Sequence, residues 1–450
     1  MAIDLAKVND VSPARRVAFE ILRKVSDGGF SSTLLAASEP ELEQLDRALC
    51  HELVMGVLRW QLQLDKLVAH YANRQIAGLD LPVLLALRLG LYQLRFLSRV
   101  PASAAVNESV NLVGRARLKS AQPFVNAVLR RATREADYDP ASEVTDPSER
   151  IAIQTSHPVW LIKHWSKAFG VAETELLARA NNQTPATSFR IVQSRANEAD
   201  VLTLLQTAGA SVESSSVAPG AWRISGGSQA LRNLAAEGRI YLQDEASQLL
   251  AQVVAPQPTE RVLDLCAAPG GKATHLADVA GDRALIVAAD ISARRLETVA
   301  HSVALQQLGS VELLRLDAGQ ALPFTEGSFD RVLVDAPCSG TGTLRRNPEI
   351  RWRISPTDLH VLAEQQRLFL RHGSKMVKRG GRLVYSTCSV ELEENEHVVN
   401  GFLKVVENFK QIPAGVATSL LTDSGSLRTW PQHQGTDGFF VAVFERTGLP

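Results

Sequence analysis

Leu263-Asp264-Leu265-Cys266-Ala267-Ala268-Pro269-Gly270-Gly271-Lys272 decides the reading of this chain. An apolar run stops at a tight turn of small residues, and a helix pattern begins. Small residues let backbone approach a ligand closely, and the first turn of a helix offers N–H groups with no partner of their own. The same grammar recurs around it. Residues 261–265, 285–290, 311–316, 331–335 and 382–385 are short apolar runs separated by helical or polar stretches. Buried strands alternating with helices predict a Rossmann-like α/β domain, a doubly wound sheet with its ligand at the carboxyl ends of the strands.

Those strand ends carry the right groups. Asp290 ends the second strand, 20 residues after Gly270, where a carboxylate accepts hydrogen bonds from ribose hydroxyls. Asp317 ends the third, within reach of an adenine amino group. The Gly-x-Gly-x-x-Gly of nicotinamide enzymes is absent. Any one of these positions fits an ordinary turn or cap. Their succession along the strands marks a nucleoside-bearing cofactor.

The fourth strand runs into Asp335-Ala336-Pro337-Cys338-Ser339-Gly340-Thr341-Gly342 and the fifth into Tyr385-Ser386-Thr387-Cys388-Ser389. Two cysteines therefore stand at neighbouring strand ends beside one pocket. A lone cysteine there is ordinarily a small buried apolar group; two point to covalent catalysis. Carbon 5 of cytosine is a weak nucleophile until a thiolate adds to carbon 6, which makes carbon 5 enamine-like. Either cysteine is chemically competent. A helix expected over residues 391–403 would lower the pKa of Cys388 through its dipole, against the local charge of Glu391, Glu393 and Glu394.

Outward from this core the character changes. Residues 1–145 carry helical apolar spacing, beginning at Pro13 after Ser12 and continuing through residues 42–67, 81–97, 104–112 and 123–134, an all-α domain. Residues 137–148, rich in Asp, Pro and Ser, read as a linker. Residues 146–238 read as a small α+β module with a helix through 160–169, a strand at 188–193, a helix at 200–208 and a Ser- and Gly-containing run at 211–227; residues 239–450 form the α/β domain.

The chain has 450 residues, 45% hydrophobic and 21% charged, with zero formal net charge, so no polyanion partner follows from the total. The distribution is uneven. Residues 88–134 hold nine Lys or Arg against one acid, and residues 340–382 hold ten against three. Local basic faces of this kind bind phosphates. Four scattered cysteines form neither a disulfide framework nor a metal spacing, so no metal and a reducing cytoplasm are expected. The start, Met1-Ala2-Ile3-Asp4, carries no leader pattern, and the apolar stretch 81–97 is interrupted by Arg88 and Arg95, so no membrane partner is expected.

Taken as a set, several segments resemble the RNA 5-methylcytosine methyltransferases of the Sun/Nop2 family. They are Gln243-Asp244-Glu245-Ala246-Ser247, Asp264 through Lys272, Asp335 through Gly342, Arg346-Asn347-Pro348-Glu349-Ile350-Arg351-Trp352, Ser386-Thr387-Cys388-Ser389 and Asp437-Gly438-Phe439-Phe440. Phe124-Val125-Asn126-Ala127-Val128-Leu129-Arg130 is similar to the NusB-like RNA-binding domain of the bacterial branch, which points to small-subunit ribosomal RNA. Asn347 departs from the family, where a His is expected.

The resemblance implies roles by position. Cys388 is the nucleophile, Cys338 assists release of the product, and Asp335 meets the cytosine edge. Cys266, Ala267, Ala268, Pro269, Gly270, Gly271 and Lys272, with Asp290, Asp317 and Asp335, surround S-adenosyl-L-methionine. A monomer acting on RNA and not DNA is expected. A DNA cytosine methyltransferase would use the cysteine of the Pro-Cys element alone, Cys338; the second cysteine favours RNA. The competing readings are another RNA, such as a transfer RNA, or a non-catalytic RNA-binding assembly protein.

A cytosine in a helix hides its carbon 6 face, so the target is unpaired or flipped out. Arg345, Arg346, Arg351 and Arg353 with Trp352 read as an RNA-binding loop, guanidiniums on phosphate and the indole stacked on a base. Arg115, Arg117, Lys119, Arg130, Arg131 and Arg134 offer a second basic face in the helical domain.

Overall fold

The computed structural model describes residues 11–38 and 41–448. The Met1-Ala2-Ile3-Asp4 start lies outside the described residues. The chain forms two compact units: residues 1–183 together with 344–353, and residues 184–343 together with 354–450. Among the described residues, no helix is long and apolar enough to cross a membrane.

The first unit is helical. Pro13–Ser26, Gln44–Arg59, Gln61–Ala72, Leu81–Phe96, Ala102–Arg115 and Gln122–Arg134 pack around Phe19, Leu22, Leu53, Leu87, Leu89 and Leu129. The single run expected over residues 42–67 is two helices that meet at Trp60. Three more helices follow: Pro147–Thr155, which the Asp146 carboxylate caps by accepting from the Glu149 N–H, then Val159–Phe169 and Val171–Ala180. The segment read as a linker therefore ends inside a helix, and the helical character of this unit extends past residue 145.

The short segment Leu344–Arg353 completes this unit, and it corrects the RNA-loop expectation. Arg345 and Arg351 are buried. The Arg351 guanidinium donates to Ser156 O (3.1 Å), Asn181 O (3.3 Å) and the Asn182 amide oxygen (3.0 Å). Trp352 donates its indole N–H to Leu58 O at 2.9 Å, and Arg59 donates to Arg345 O at 3.1 Å. Glu349, also buried, accepts from the Ser31 N–H and hydroxyl. Burial, with Arg59 nearby, pushes the Arg351 pKa down to about 9. These side chains fasten the segment into the helical unit and do not form an exposed basic loop. Arg346 is half-buried; Arg353 is exposed but donates to Val25 O and lies 5.2 Å over the Phe30 ring. Of the second basic face, Arg115, Arg117, Lys119, Arg130 and Arg134 are exposed, whereas Arg131 pairs with Glu135 at 2.8 Å.

The second unit holds two sheets. β1 (Thr187–Ile191), β2 (Ser211–Ser214), β3 (Ala221–Ser225) and β4 (Ile240–Leu242) form an antiparallel sheet in the order β2-β3-β1-β4. With helices Glu198–Thr207 and Ser228–Ala236, the order β-α-β-β-α-β is ferredoxin-like. The run at 211–227 thus contains two strands. β2 is short and largely solvent-facing, and β3 buries only Ala221 and Ile224, three residues apart, so no apolar alternation announces either.

β5 (Arg261–Asp264), β6 (Leu285–Asp290), β7 (Val311–Arg315), β8 (Phe329–Asp335) and β9 (Val377–Thr387) are the expected parallel strands. β10 (Phe409–Ile412), β11 (Leu427–Thr429) and β12 (Phe439–Arg446) extend the sheet, which runs β10-β12-β9-β8-β5-β6-β7 with β11 on β12. β12 runs antiparallel to β9, so the sheet is mixed and not purely parallel. The switch in strand order lies between β5 and β8, where such sheets bind ligands.

Arg351→Ala should cost about 2–4 kcal/mol of stability, because buried carbonyls lose their donor, with Arg351→Met milder. Urea unfolding reads this. The slope of log RNA affinity against log salt should stay unchanged; a slope reduced at constant stability would restore a phosphate contact.

Candidate active site at the strand ends of the mixed sheet

The turn after β5 builds one wall of a cavity. Gly270 adopts φ +107°, and a Cβ there would sit 3.1 Å from Val299 Cα, so both the backbone angle and the packing call for glycine. Helix Gly271–Val279 begins directly behind it. The cavity, about 260 Å³, is lined by Cys266, Ala268, Asp290, Asp317, Asp335, Cys338 and Cys388. Ile291, Leu316, Ala318 and Phe369 supply apolar walls.

Each carboxylate is held. Asp290 is buried; its Oδ1 accepts from Ser292 N at 2.9 Å and its Oδ2 lies 3.4 Å from Arg295. Asp317 Oδ1 accepts from Gly319 N at 2.8 Å. Asp335 accepts from the Ser386 hydroxyl on one oxygen (2.8 Å) and pairs with Lys272 on the other. Burial opposes the Lys272 charge, but Asp335 outweighs it and the net shift is upward. The ammonium also lies 4.9 Å over the Phe439 ring.

The two cysteines meet. β8 and β9 pair in parallel with Asp335 opposite Ser386, so Cys338 and Cys388 leave neighbouring strands side by side. Their sulfurs are 3.2 Å apart. The hydrogen bond to Cys388 and burial, aided by the charges of Cys388 and Glu394, push the Cys338 thiol well above its ordinary range. The helix expected to start behind Cys388 begins only at Glu396, with Glu396–Val405 as its span, so it is too remote for its dipole to act on the sulfur.

Segments that looked like separate motifs interlock here. Gly342 N donates to Cys388 O (2.9 Å), and Gly438 N donates to Gly342 O (2.8 Å). A Cβ on Gly342 would lie 2.0 Å from Gly438 O. Asp437 N donates to Asp244 Oδ1 at 3.1 Å, and Asp244 caps helix Glu245–Val254. The residues around Asp244 and Asp437 thus shape the site without lining it.

One group escaped the sequence reading as a site residue. Asp264, at the end of β5, is fully buried, and its Oδ2 has no hydrogen-bond partner. Burial and the nearby Asp335 raise its pKa to about 7, with Lys272 opposing. Its place inside an apolar strand was the available signal.

Comparison with known proteins agrees with this fold. Residues 251–445 match the 16S rRNA methyltransferase RsmB/F model, residues 12–134 the NusB family and residues 157–230 the ferredoxin-like domain of RsmF/B-like methyltransferases. A probable ribosomal RNA small subunit methyltransferase B of Bacillus subtilis (strain 168) is 34% identical, covering 96% of this chain and 99% of that one. That of Synechocystis sp. is 36% identical with the same coverage.

The chain belongs to the ribosomal RNA small subunit methyltransferase B family.

The likeness of this family extends to solved structures. The crystal structure of PH0851 is 27% identical, with a TM-score of 0.84 over 97% of this chain and all of that one. A methyltransferase homologue from Pyrococcus horikoshii, 24% identical, shares the fold over 67% of this chain and all of that one, with a TM-score of 0.59.

Because the native pKa of Asp264 exceeds the value of about 4 in an unfolded chain, its protonated form stabilises the fold. That contribution is complete below pH 4 and is lost as pH rises through about 7. Asp264→Asn, which cannot ionise, should therefore gain on wild type as pH rises from 5 to 8. Urea midpoints at the two pH values check this; an advantage independent of pH contradicts it.

Proposed function

We propose that this protein transfers the methyl group of S-adenosyl-L-methionine to carbon 5 of a cytosine in small-subunit ribosomal RNA, through a covalent bond between Cys388 and carbon 6, in the cytoplasm. The observation that carries the reading is the contact between the Cys338 and Cys388 sulfurs at the cofactor cavity. The names of the relatives supply the RNA class.

The cavity suits the cofactor. Its apolar walls would suit an adenine ring, Asp317 would accept from an exocyclic amine and Asp290 from ribose hydroxyls, with Cys266 and Ala268 of the turn after β5 lining the same cavity. Bound there, S-adenosylmethionine supplies an electrophilic methyl on sulfur.

The side chains divide the remaining work. Burial and its neighbours hold Cys338 protonated, which suits it to release, and attack is assigned to Cys388. Its sulfur bonds to carbon 6, and the displaced π electrons make carbon 5 nucleophilic. After carbon 5 is methylated, a base (water, in the simplest case) takes its proton, the C–H pair re-forms the carbon 5–carbon 6 double bond, and the ring expels the Cys388 thiolate. Cys338 carries a proton on Sγ within 3.2 Å of the departing sulfur, in position to assist release. Asp335, oriented by Lys272 and Ser386, is assigned to the cytosine edge. The exposed Arg115, Arg117, Lys119, Arg130 and Arg134 are assigned to RNA phosphates.

Cys388→Ala should abolish methyl transfer to ribosomal RNA, with no covalent complex. Cys338→Ala should retain attack and accumulate protein bound to RNA on a denaturing gel. Adduct accumulating in Cys388→Ala instead would exchange the two roles.

A further inference from the structure

Behind the cysteines lies a carboxylate that the reaction as drawn does not use. Glu394 is completely buried and does not line the cavity. Its Oε1 accepts from Ser339 N (2.8 Å) and Gln366 Nε2 (2.9 Å). Its Oε2 accepts from the hydroxyls of Ser339 (2.5 Å) and Ser389 (2.5 Å). Ser339 follows Cys338 in the chain, and Ser389 follows Cys388. Gln366 also donates to Pro337 O at 2.9 Å, the carbonyl immediately before Cys338.

All four hydrogen bonds thus come from the two cysteine loops or from the helix residue that holds one of them. The loops leave different strands, and no covalent link sets the distance between their sulfurs. Parallel pairing of β8 with β9 brings the loops together only as far as Asp335 and Ser386. Beyond that point the loops touch directly, through Gly342 N to Cys388 O and Ser339 to Ser389, and a buried acceptor shared by both anchors them behind the sulfurs. Burial raises the Glu394 pKa, against the hydrogen bonds from Ser339 and Ser389.

We propose that Glu394 is a positioning residue that clamps the Cys338 and Cys388 loops together and so sets the thiol–thiol contact. This rests on the covalent reading above for its catalytic meaning, but the clamp itself is testable without RNA.

The test uses the full-length protein equilibrated in oxidised and reduced dithiothreitol, where forming the Cys338–Cys388 disulfide transfers two electrons and two protons from the thiols to the oxidised reagent. The linked peptide is quantified by mass spectrometry. Its equilibrium constant measures how well the fold holds the sulfurs together. Glu394→Ala should lower that constant at least tenfold, roughly the loss expected when two aligned groups are freed. Glu394→Gln, which keeps an acceptor and the side-chain shape, should stay within about threefold. Methyl transfer should follow the same order, with kcat falling and the cofactor dissociation constant unchanged.

A wild-type disulfide constant in Glu394→Ala overturns the proposal. So does an equal loss in both variants, which would make charge the agent. Should Glu394→Ala fail to give a cooperative unfolding transition, Ser389→Ala, which removes the Cys388 loop's bond to Glu394 together with its contacts to Ser339 and Thr341, carries the test: a constant reduced several-fold supports the clamp, and an unchanged one overturns it. Wild-type protein that forms the disulfide but methylates no RNA would refute the functional reading and leave the clamp standing.

Discussion

Two parallel strands, β8 and β9, lie side by side with Asp335 opposite Ser386, and everything chemical in this molecule depends on that pairing. A parallel ladder forces both chains to end on the same edge of the sheet. The turns that follow therefore carry Cys338 and Cys388 to one place, although 50 residues separate them. The adjacent β5 ends on the same edge, so the Gly270 turn and the thiols share one cavity. Had β9 run antiparallel to β8, as β12 does to β9, the second sulfur would leave from the far edge of the sheet.

A low-dielectric site then sorts the two thiols. Burial and the neighbouring Cys388 and Glu394 charges all disfavour a thiolate on Cys338, while Lys272, an ammonium held by Asp335, stands among the charges that interact with Cys388. The proposed mechanism makes Cys338, the sulfur held protonated, the proton carrier and gives attack to Cys388. Asymmetry between chemically identical groups, imposed by surroundings, is what the proposed mechanism needs for a single pocket to serve both attack and release.

Much of this was readable in the chain. Short apolar runs ending in Asp264, Asp290 and Asp335 announced the parallel strands, because a strand covered on both faces needs continuous apolar residues. β12, Phe439–Arg446, has the same signature but followed a motif and was read only as that. β2 and β3 are not legible, since β2 is mostly exposed and accepts polar residues, while β3 is short and its buried residues, Ala221 and Ile224, do not alternate. The basic segment misled for a different reason. Charge density predicted an exposed loop, yet Arg351 and Glu349 satisfy partners about 170 to 320 residues away in the helical unit. Only the folded chain shows that their polar groups are buried and matched. Glu394 was likewise visible only as one of several acids that would hinder Cys388, whereas its carboxylate accepts four hydrogen bonds from around the cysteine loops.

The central claim is a sulfur–carbon bond formed by one particular cysteine. RNA carrying 5-fluorocytosine at the target blocks loss of the substituent at carbon 5 and so halts the ring after methylation, with the protein still attached. Digestion of that complex and mass spectrometry of the linked peptide identify the sulfur directly. Attachment at Cys388 in the peptide around Thr387-Cys388-Ser389 is the predicted result; attachment at Cys338, or methylated RNA with no linked peptide, contradicts the account.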